Sequence, residues 1–289
     1  MNLSEREFNE IRQIIKGLCG VWLGDDKMYL VHTRLEPVIE RFRISSYQEL
    51  ANRLAASANM ALQDEVIEAI TTNETSFNRD GYPFDEFRRS LLPNLIARRN
   101  TRQSASGLPF GKLRIWSAAA STGQEAYSLA IGVSDFVSAC NGVFNGCQIT
   151  TDNFSILATD ISATALRIAK DGAYHERELD RGISNDQKLK YFVSQSGKFV
   201  VANEIGRLVE FRRLNLAKSF MELSGLDLIF CRNILIYFDE PTRNQVTEQL
   251  VHSLAPGGML ILGAAESLSQ LPKGMIQEQF GNTIVFRRK

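Results

Sequence analysis

One stretch of the chain has the residue types and order of a ligand cradle. It reads Leu113-Arg114-Ile115-Trp116-Ser117-Ala118-Ala119-Ala120-Ser121-Thr122-Gly123-Gln124-Glu125-Ala126-Tyr127-Ser128. A short apolar strand passes through small residues into a helix whose apolar positions are Tyr127, Leu129, Ala130 and Val133. Small side chains let the backbone approach a nucleotide-like ligand, and the free N–H groups of the first helical turn face it. The turn lacks a G-x-G-x-x-G, so taken alone it is also readable as a tight βα connection. Polar residues at the ends of other apolar runs add to the signal. Asp160 closes Ser155–Thr159, where an acid accepts hydrogen bonds from ribose hydroxyls or caps the next helix. Asn215 and Asn233 follow two further runs, and each can read an adenine edge or satisfy loop backbone. Glu125, in the first helical turn, can contact a ligand's amino group or favour the helix dipole.

Two different kinds of periodicity must position these groups. Up to about residue 70 the pattern is helical. Ser4 and Glu7 form a capping box before the stripe Phe8, Ile11, Ile14, Ile15 and Leu18. A second helix is expected over Asp26–Phe42, with a kink or restart at Pro37. Ser46 and Glu49 make another box, and Leu62, Val66, Ile67 and Ile70 mark a fourth helix. Arg34 and Arg41, with Arg43 nearby, share one face and read either as a solvated face or as a basic patch for an acidic partner. The polar cluster Thr71–Asp80 is crowded with Asn, Thr and Arg, unlike a flexible Gly/Ser tether. A helix over Tyr82–Arg99 and a surface loop over Asn100–Lys112 follow.

From Leu113 onward short apolar strands alternate with helices. Strands are expected at Leu113–Ala118, Ser155–Asp160, Leu208–Leu214, Leu226–Cys231, Met259–Ala264 and Thr283–Arg287, with Pro256-Gly257-Gly258 as a tight turn. Alternation predicts an α/β, mostly parallel sheet with helices on both faces. It lapses between Gly172 and Arg207, where Tyr191–Val193 and Phe199–Val201 around Gly197 suggest a small antiparallel insertion.

Composition narrows the function classes. The 289 residues are 44% hydrophobic and 23% charged, with 33 basic and 33 acidic side chains. That balance gives no global attraction to nucleic acid or membrane. Residues 1–70 carry 11 acidic side chains against 8 basic ones, so they are no nucleic-acid arm. Cys19, Cys140, Cys147 and Cys231 show no C-x-x-C spacing and read as reduced thiols of a cytoplasmic protein. With only His32, His175 and His252 beside them, no metal site is expected. Neither a signal peptide nor an apolar run of about 18 residues is present.

Five segments together resemble the bacterial chemotaxis receptor methyltransferases, the CheR family. They are Thr72–Arg79, Trp116–Glu125, Ala158-Thr159-Asp160, Phe230–Asp239 and Pro256-Gly257-Gly258 with Glu266-Ser267. The resemblance spans nearly the whole chain. It implies a Rossmann-like S-adenosylmethionine methyltransferase sheet with a small β insertion at about 173–207, preceded by an all-α domain. The domains would be 1–70, recognising a receptor, and 71–289, carrying out methyl transfer. It also implies that Asn73, Thr75, Arg79, Glu125, Asp160, Asn215, Leu216, Asn233 and Ile234 line the S-adenosylmethionine site, with Arg79 and Tyr237 near the reacting methyl. Gln124 stands where many members have Glu, and Ala126 where many have Pro.

The activity implied is conversion of receptor glutamates to methyl esters, leaving S-adenosylhomocysteine, in a cytoplasmic monomer without a metal. The partner implied is the cytoplasmic helical region of chemoreceptors, met in part through Arg34, Arg41 and Arg43. The β insertion resembles a subdomain that binds a receptor C-terminal peptide in some members. A glutamate carboxylate, with a pKa of about 4.3, is already ionised at neutral pH, so the absence of a His/Asp or Cys/His pair fits the chemistry. A different class of reading is a noncatalytic module that binds cofactor or receptor; the presence of both Arg79 and Tyr237 argues against it.

Overall fold

The computed structural model describes residues 3–56, 59–106, 111–268 and 270–289. Its N-terminal part is a small helical unit. Ser4 Oγ accepts the Glu7 N–H and Glu7 returns the favour to the Ser4 N–H at 3.0 Å, which opens α1 (Glu5–Cys19). Gly20 ends it with φ +79°, a conformation that glycine adopts without the Cβ penalty. A 3₁₀ turn at Asp25–Lys27 precedes α2 (Met28–Arg41), so this helix starts later than expected. It runs on as one element across Pro37 rather than restarting there. At α3 (Tyr47–Ala55) Ser46 caps as expected, but the Glu49 carboxylate accepts from the Ser45 N–H at 2.7 Å, one residue before the predicted box. With α4 (Met60–Ile70), these helices enclose a core of their own around Ile11, Val31, Leu35, Leu50 and Leu62.

The expected helix over Tyr82–Arg99 proves to be two helices and longer. α5 (Tyr82–Glu86) passes through a π turn at Phe87–Leu91 into α6 (Leu92–Ser106). Pro93 has no N–H to give to the previous turn, and the Leu92 N–H reaches back to Phe87 instead. Helix therefore replaces the expected loop over Asn100–Ser106. Gly107 and Pro109, placed in that loop, lie outside the described residues.

The remaining elements, in chain order, are β1 (Leu113–Ala118), α7 (Gln124–Ala139), β2 (Val143–Phe144), β3 (Cys147–Gln148), β4 (Phe154–Asp160) and α8 (Ala163–Asp171). Then come β5 (Ala173–Tyr174), α9 (Glu176–Leu179), α10 (Asn185–Tyr191), β6 (Phe192–Gln195), β7 (Lys198–Val201) and α11 (Asn203–Gly206). The last are β8 (Val209–Arg213), β9 (Leu226–Cys231), α12 (Glu240–Ser253), β10 (Leu254–Leu262), β11 (Met275–Phe280) and β12 (Thr283–Arg288). Seven strands form one sheet in the order β11-β12-β10-β9-β1-β4-β8. Its first five strands in sequence, β8, β4, β1, β9 and β10, are mutually parallel, and β12 and β11 close the edge antiparallel. The strand β11 and the β2–β3 hairpin were not expected. Pro256-Gly257-Gly258 lies inside β10, where pairing with β9 shifts register between Leu254 and Met259. The insertion is confirmed as a separate three-stranded sheet, β5-β7-β6, antiparallel throughout.

The central strands are buried on both faces, so they read as continuous apolar runs. One face packs on α5–α7 through Phe87, Leu129 and Phe230; the other packs on α12 through Trp116, Phe220 and Leu250. No helix among the described residues is long and apolar enough to cross a membrane.

The helical unit sits over the carboxyl ends of the strands, and one carboxylate does much to hold it there. Glu68 of α4 accepts from Ser162 Oγ at 2.6 Å and from the Thr164 N–H at 3.1 Å, so it caps α8 from the other side of the interface. Replacing Glu68 by Ala should lower stability by about 1 kcal/mol, seen as a lower melting temperature. Glu65→Ala, which breaks only the exposed pair with Arg41, should shift it less. Equal melting temperatures for Glu68→Ala and the unsubstituted protein would remove Glu68 from this role.

Candidate functional site

The turn after β1 is built from left-handed residues. Ala119, Ser121 and Gly123 have φ of +60°, +51° and +97°. Such angles are costly for residues with a Cβ and persist only where surroundings enforce them. Two contacts enforce them here. The Ser121 N–H donates to Asp160 Oδ2 at 2.8 Å, and Ser121 Oγ donates to the Asn73 carbonyl at 2.9 Å. Asp160 takes a second backbone bond from Ser162, at 2.9 Å to Oδ1. Burial pushes its pKa up, and these N–H donors oppose the rise. Each of its oxygens holds one protein donor and keeps a further lone pair.

Glu125 is buried, with 12% of its side chain exposed. Ser117 Oγ donates to Oε1 at 2.8 Å and the Arg232 guanidinium donates to Oε2 at 3.2 Å. Burial raises the pKa of Glu125, with Arg232 the main opposing influence. Arg232 itself was not singled out from the sequence, although it follows directly on a fully buried strand. Its side chain is 1% exposed. It also donates to Asp80 at 2.6 Å and to the Arg79 carbonyl at 3.0 Å, and it lies over the Phe84 ring at 5.4 Å. One guanidinium thus joins the first turn of α7 to the polar segment before α5.

Glu266 is the second residue that sequence reasoning left without a role. Its carboxylate accepts the N–H groups of Gly263, Asn233, Ile234 and Leu235, all at 2.7–2.8 Å. Asn233 is left-handed at φ +58°. A Cβ on Gly263 would stand 2.8 Å from both the Asn233 nitrogen and a Glu266 oxygen, so the close approach requires glycine. Glu266 in this way fixes Asn233, Ile234 and the 3₁₀ turn that ends in Tyr237.

The helical unit supplies the roof. Val21 bridges to Phe238, and the Trp22 N–H donates to the Tyr237 carbonyl at 2.8 Å. Asn215 Nδ2 donates to the Leu18 carbonyl at 2.7 Å while its Oδ1 accepts the Ala217 N–H at 3.0 Å. Of the two roles open to that side chain, its amide performs the loop-satisfying one. Lys218 Nζ reaches the Gly17 carbonyl at 2.7 Å, closing off the end of α1. Two of the three arginines read as a solvated face or a basic patch are engaged within the helical unit, and Arg43 is exposed. Arg34 donates to the carbonyls of Ile70 at 2.6 Å and Thr71 at 3.2 Å, and Arg41 pairs with Glu65. Arg34 is a clamp on the segment entering the site.

Between floor and roof lies a cavity of about 960 Å³, its open mouth included. Asn73, Thr75 and Arg79 reach it from the segment before α5, Glu125 from the first turn of α7 and Asp160 from the end of β4. Asn215 and Leu216 line it after β8; Asn233, Ile234 and Tyr237 line it after β9. All ten residues drawn from the sequence therefore share one wall. Cys19, Val21 and Ile70 complete it from the helical unit. Arg79 is half-buried and donates only to the Glu74 carbonyl, at 3.2 Å. Among the described residues it has no acidic partner.

Comparison with known proteins agrees with this geometry. Residues 6–71 match the family model described as CheR methyltransferase, all-alpha domain, and residues 73–283 match CheR methyltransferase, SAM binding domain. A chemotaxis protein methyltransferase of Vibrio anguillarum is 35% identical over 290 residues, covering 100% of this chain and 99% of that protein. Chemotaxis protein methyltransferase 1 of Pseudomonas aeruginosa is 37% identical over 290 residues, covering 100% of each. The chemotaxis protein methyltransferase of Escherichia coli is 31% identical, over 94% of this chain and 87% of its own length. The chain belongs to the CheR family of chemotaxis protein methyltransferases.

Proposed function

We propose that the protein transfers a methyl group from S-adenosylmethionine to glutamate side chains of chemoreceptors, yielding γ-glutamyl methyl esters. The observation that carries this reading is the convergence of Arg79, Glu125, Asp160, Asn233 and Tyr237 on one cavity in a chain of this family. In this reading residues 1–70 form the receptor-recognition domain and 71–289 the catalytic one.

The donor set suits a nucleoside sulfonium. Asp160 has lone pairs for ribose hydroxyls beyond those used by Ser121 and Ser162. Ile161, Leu214 and Leu216 offer an apolar shelf for a purine ring. Glu125, held from beneath by Ser117 and Arg232, faces an amino group with its remaining lone pairs. Arg79, free of any acid, is a bidentate donor for a carboxylate, either that of the methionine moiety or that of the acceptor glutamate. When bound, the cofactor supplies a methyl group already activated by its positive sulfur. The protein's task is then placement. A glutamate needs no general base, so Tyr237 and Arg79 act by holding its carboxylate in line. Tyr237 does so by hydrogen bond, or by setting its ring against the cation.

Three outcomes test the reading. Incubation with methyl-labelled S-adenosylmethionine and chemoreceptor-rich membranes should give base-labile label on the receptors; label on nucleic acid alone, or on nothing despite cofactor binding, defeats it. Asp160→Asn should weaken S-adenosylmethionine binding by calorimetry about tenfold, the worth of a charge-assisted hydrogen bond, and an unaltered affinity takes Asp160 out of the ribose site. Arg79→Ala and Tyr237→Phe should each lower kcat by about 10- to 100-fold, and rates unchanged in both would refute their positions at the reacting groups.

A further inference from the structure

A second groove opens beside the cavity just described, and the two have one lining residue in common, Arg79. Its walls are the segment Ser76–Gly81, the outer side of α5 with Arg88, and the turn Arg181–Ser184 of the β insertion. With its mouth it encloses about 780 Å³.

The turn carrying Arg181 is locked against the segment carrying Arg79. Asn78 Nδ2 donates to the Gly182 carbonyl at 2.6 Å, and the Asn78 N–H donates to Ser128 Oγ at 2.9 Å. Gly182 lies so close that a Cβ there would fall 1.9 Å from the Phe77 carbonyl oxygen. Asn78 and Asp80 are left-handed, at φ +47° and +68°, so the segment is bent to meet the turn. The groove is therefore preformed.

Its charge is one-sided. Three arginines and two aspartates line it. Asp85 is taken by Arg88 and Asp80 by the buried Arg232. Among the described residues Arg79 and Arg181 have no carboxylate, and Arg181 is exposed. Two guanidiniums, one at the reacting end of the cavity and one further out, face the same opening. Arg34 and Arg41 of the helical unit, by contrast, are already engaged.

We propose that this groove receives the acidic protein segment that carries the acceptor glutamate. Arg181 binds a second carboxylate on that segment while Arg79 faces the one to be methylated. The inference rests on the glutamate methyltransferase reading, and it makes Arg181 a specificity residue contributed by the β insertion. A negatively charged segment would then be steered to one side of the mouth, because exposed cations steer acidic partners and fix their register more than they add raw affinity.

The test uses the full-length protein with synthetic helical peptides that each hold one acceptor glutamate, flanked by Glu or by Gln. With the Glu-flanked peptide, Arg181→Glu should raise KM about tenfold and leave kcat and S-adenosylmethionine affinity unchanged. Arg177→Glu, an exposed arginine on α9 outside the groove, should leave all three unchanged. The Gln-flanked peptide should show the raised KM with the unsubstituted protein and little further rise with Arg181→Glu, because both changes remove the same contact. Equal KM values for Arg181→Glu and the unsubstituted protein overturn the proposal. So do equal effects of Arg177→Glu and Arg181→Glu, or a loss of cofactor affinity in Arg181→Glu. If the unsubstituted protein methylates neither these peptides nor receptors, the glutamate reading has failed and the groove proposal falls with it; methylation with an insensitive KM sinks the groove proposal alone.

Discussion

A guanidinium with 1% of its surface exposed cannot stay charged in a protein interior without compensating partners. Arg232 meets that constraint through its two terminal nitrogens, which reach Glu125, Asp80 and the Arg79 carbonyl, and through the face of Phe84, while its Nε is buried without a hydrogen-bond partner. These partners come from three pieces of chain: Glu125 from the first turn of α7, Arg79 and Asp80 from the polar segment, and Phe84 from α5. The desolvation cost of one charge thereby fixes the distance between the small-residue turn and the segment that presents Arg79. Glu125 shares the constraint from the other sign, since burial works against its ionised form and Arg232 works for it. Removing Arg232 would leave Glu125 as a buried carboxylate without a cationic partner, whereas Arg232 without Glu125 would still keep Asp80.

Glu266 solves a similar problem with backbone rather than with a charged partner. The N–H groups of Gly263, Asn233, Ile234 and Leu235 converge on one carboxylate at 2.7–2.8 Å, which fixes the backbone of a loop whose side chains Leu235 and Phe238 are anchored in the core. Asp160 works in the same manner on the opposite side, through Ser121 and Ser162. The cavity is shaped by three acids at the strand ends, each facing main-chain or guanidinium donors. That arrangement leaves the remaining oxygen lone pairs of Asp160 and Glu125 directed by rigid supports.

The sheet was legible because its signals are local. Runs such as Leu226–Cys231 are apolar along their whole length, with Asp160 at the end of one and Asn233 two residues past another. Asn73, Thr75, Arg79, Leu216, Ile234 and Tyr237 of the cavity wall were legible only through the resemblance of five segments to a known family. What escaped depended on partners distant in sequence. Arg34 and Arg41 do share a helical face, but the pattern cannot show that Ile70 and Glu65 of α4 wait opposite them. The half-exposed β11 reads Met-Ile-Gln-Glu-Gln-Phe, with neither an apolar run nor polar–apolar alternation to make it stand out. Asn100–Ser106 is rich in residues that favour loops, yet it continues a helix already under way, where no new nucleus is needed. Arg232 and Glu266 were visible as members of motifs, whereas their work lies in bonds to residues up to 153 positions away.

The roof and the floor belong to two separate apolar cores, and the bonds between them are mostly polar: Asn215 to Leu18, Lys218 to Gly17, Glu68 to Ser162, Trp22 to Tyr237. A polar seam can trade its protein partners for water at modest net cost, whereas an apolar core cannot be opened without exposing its whole surface. The cavity lies along that seam, so what closes over it is a line of hydrogen bonds rather than either apolar core.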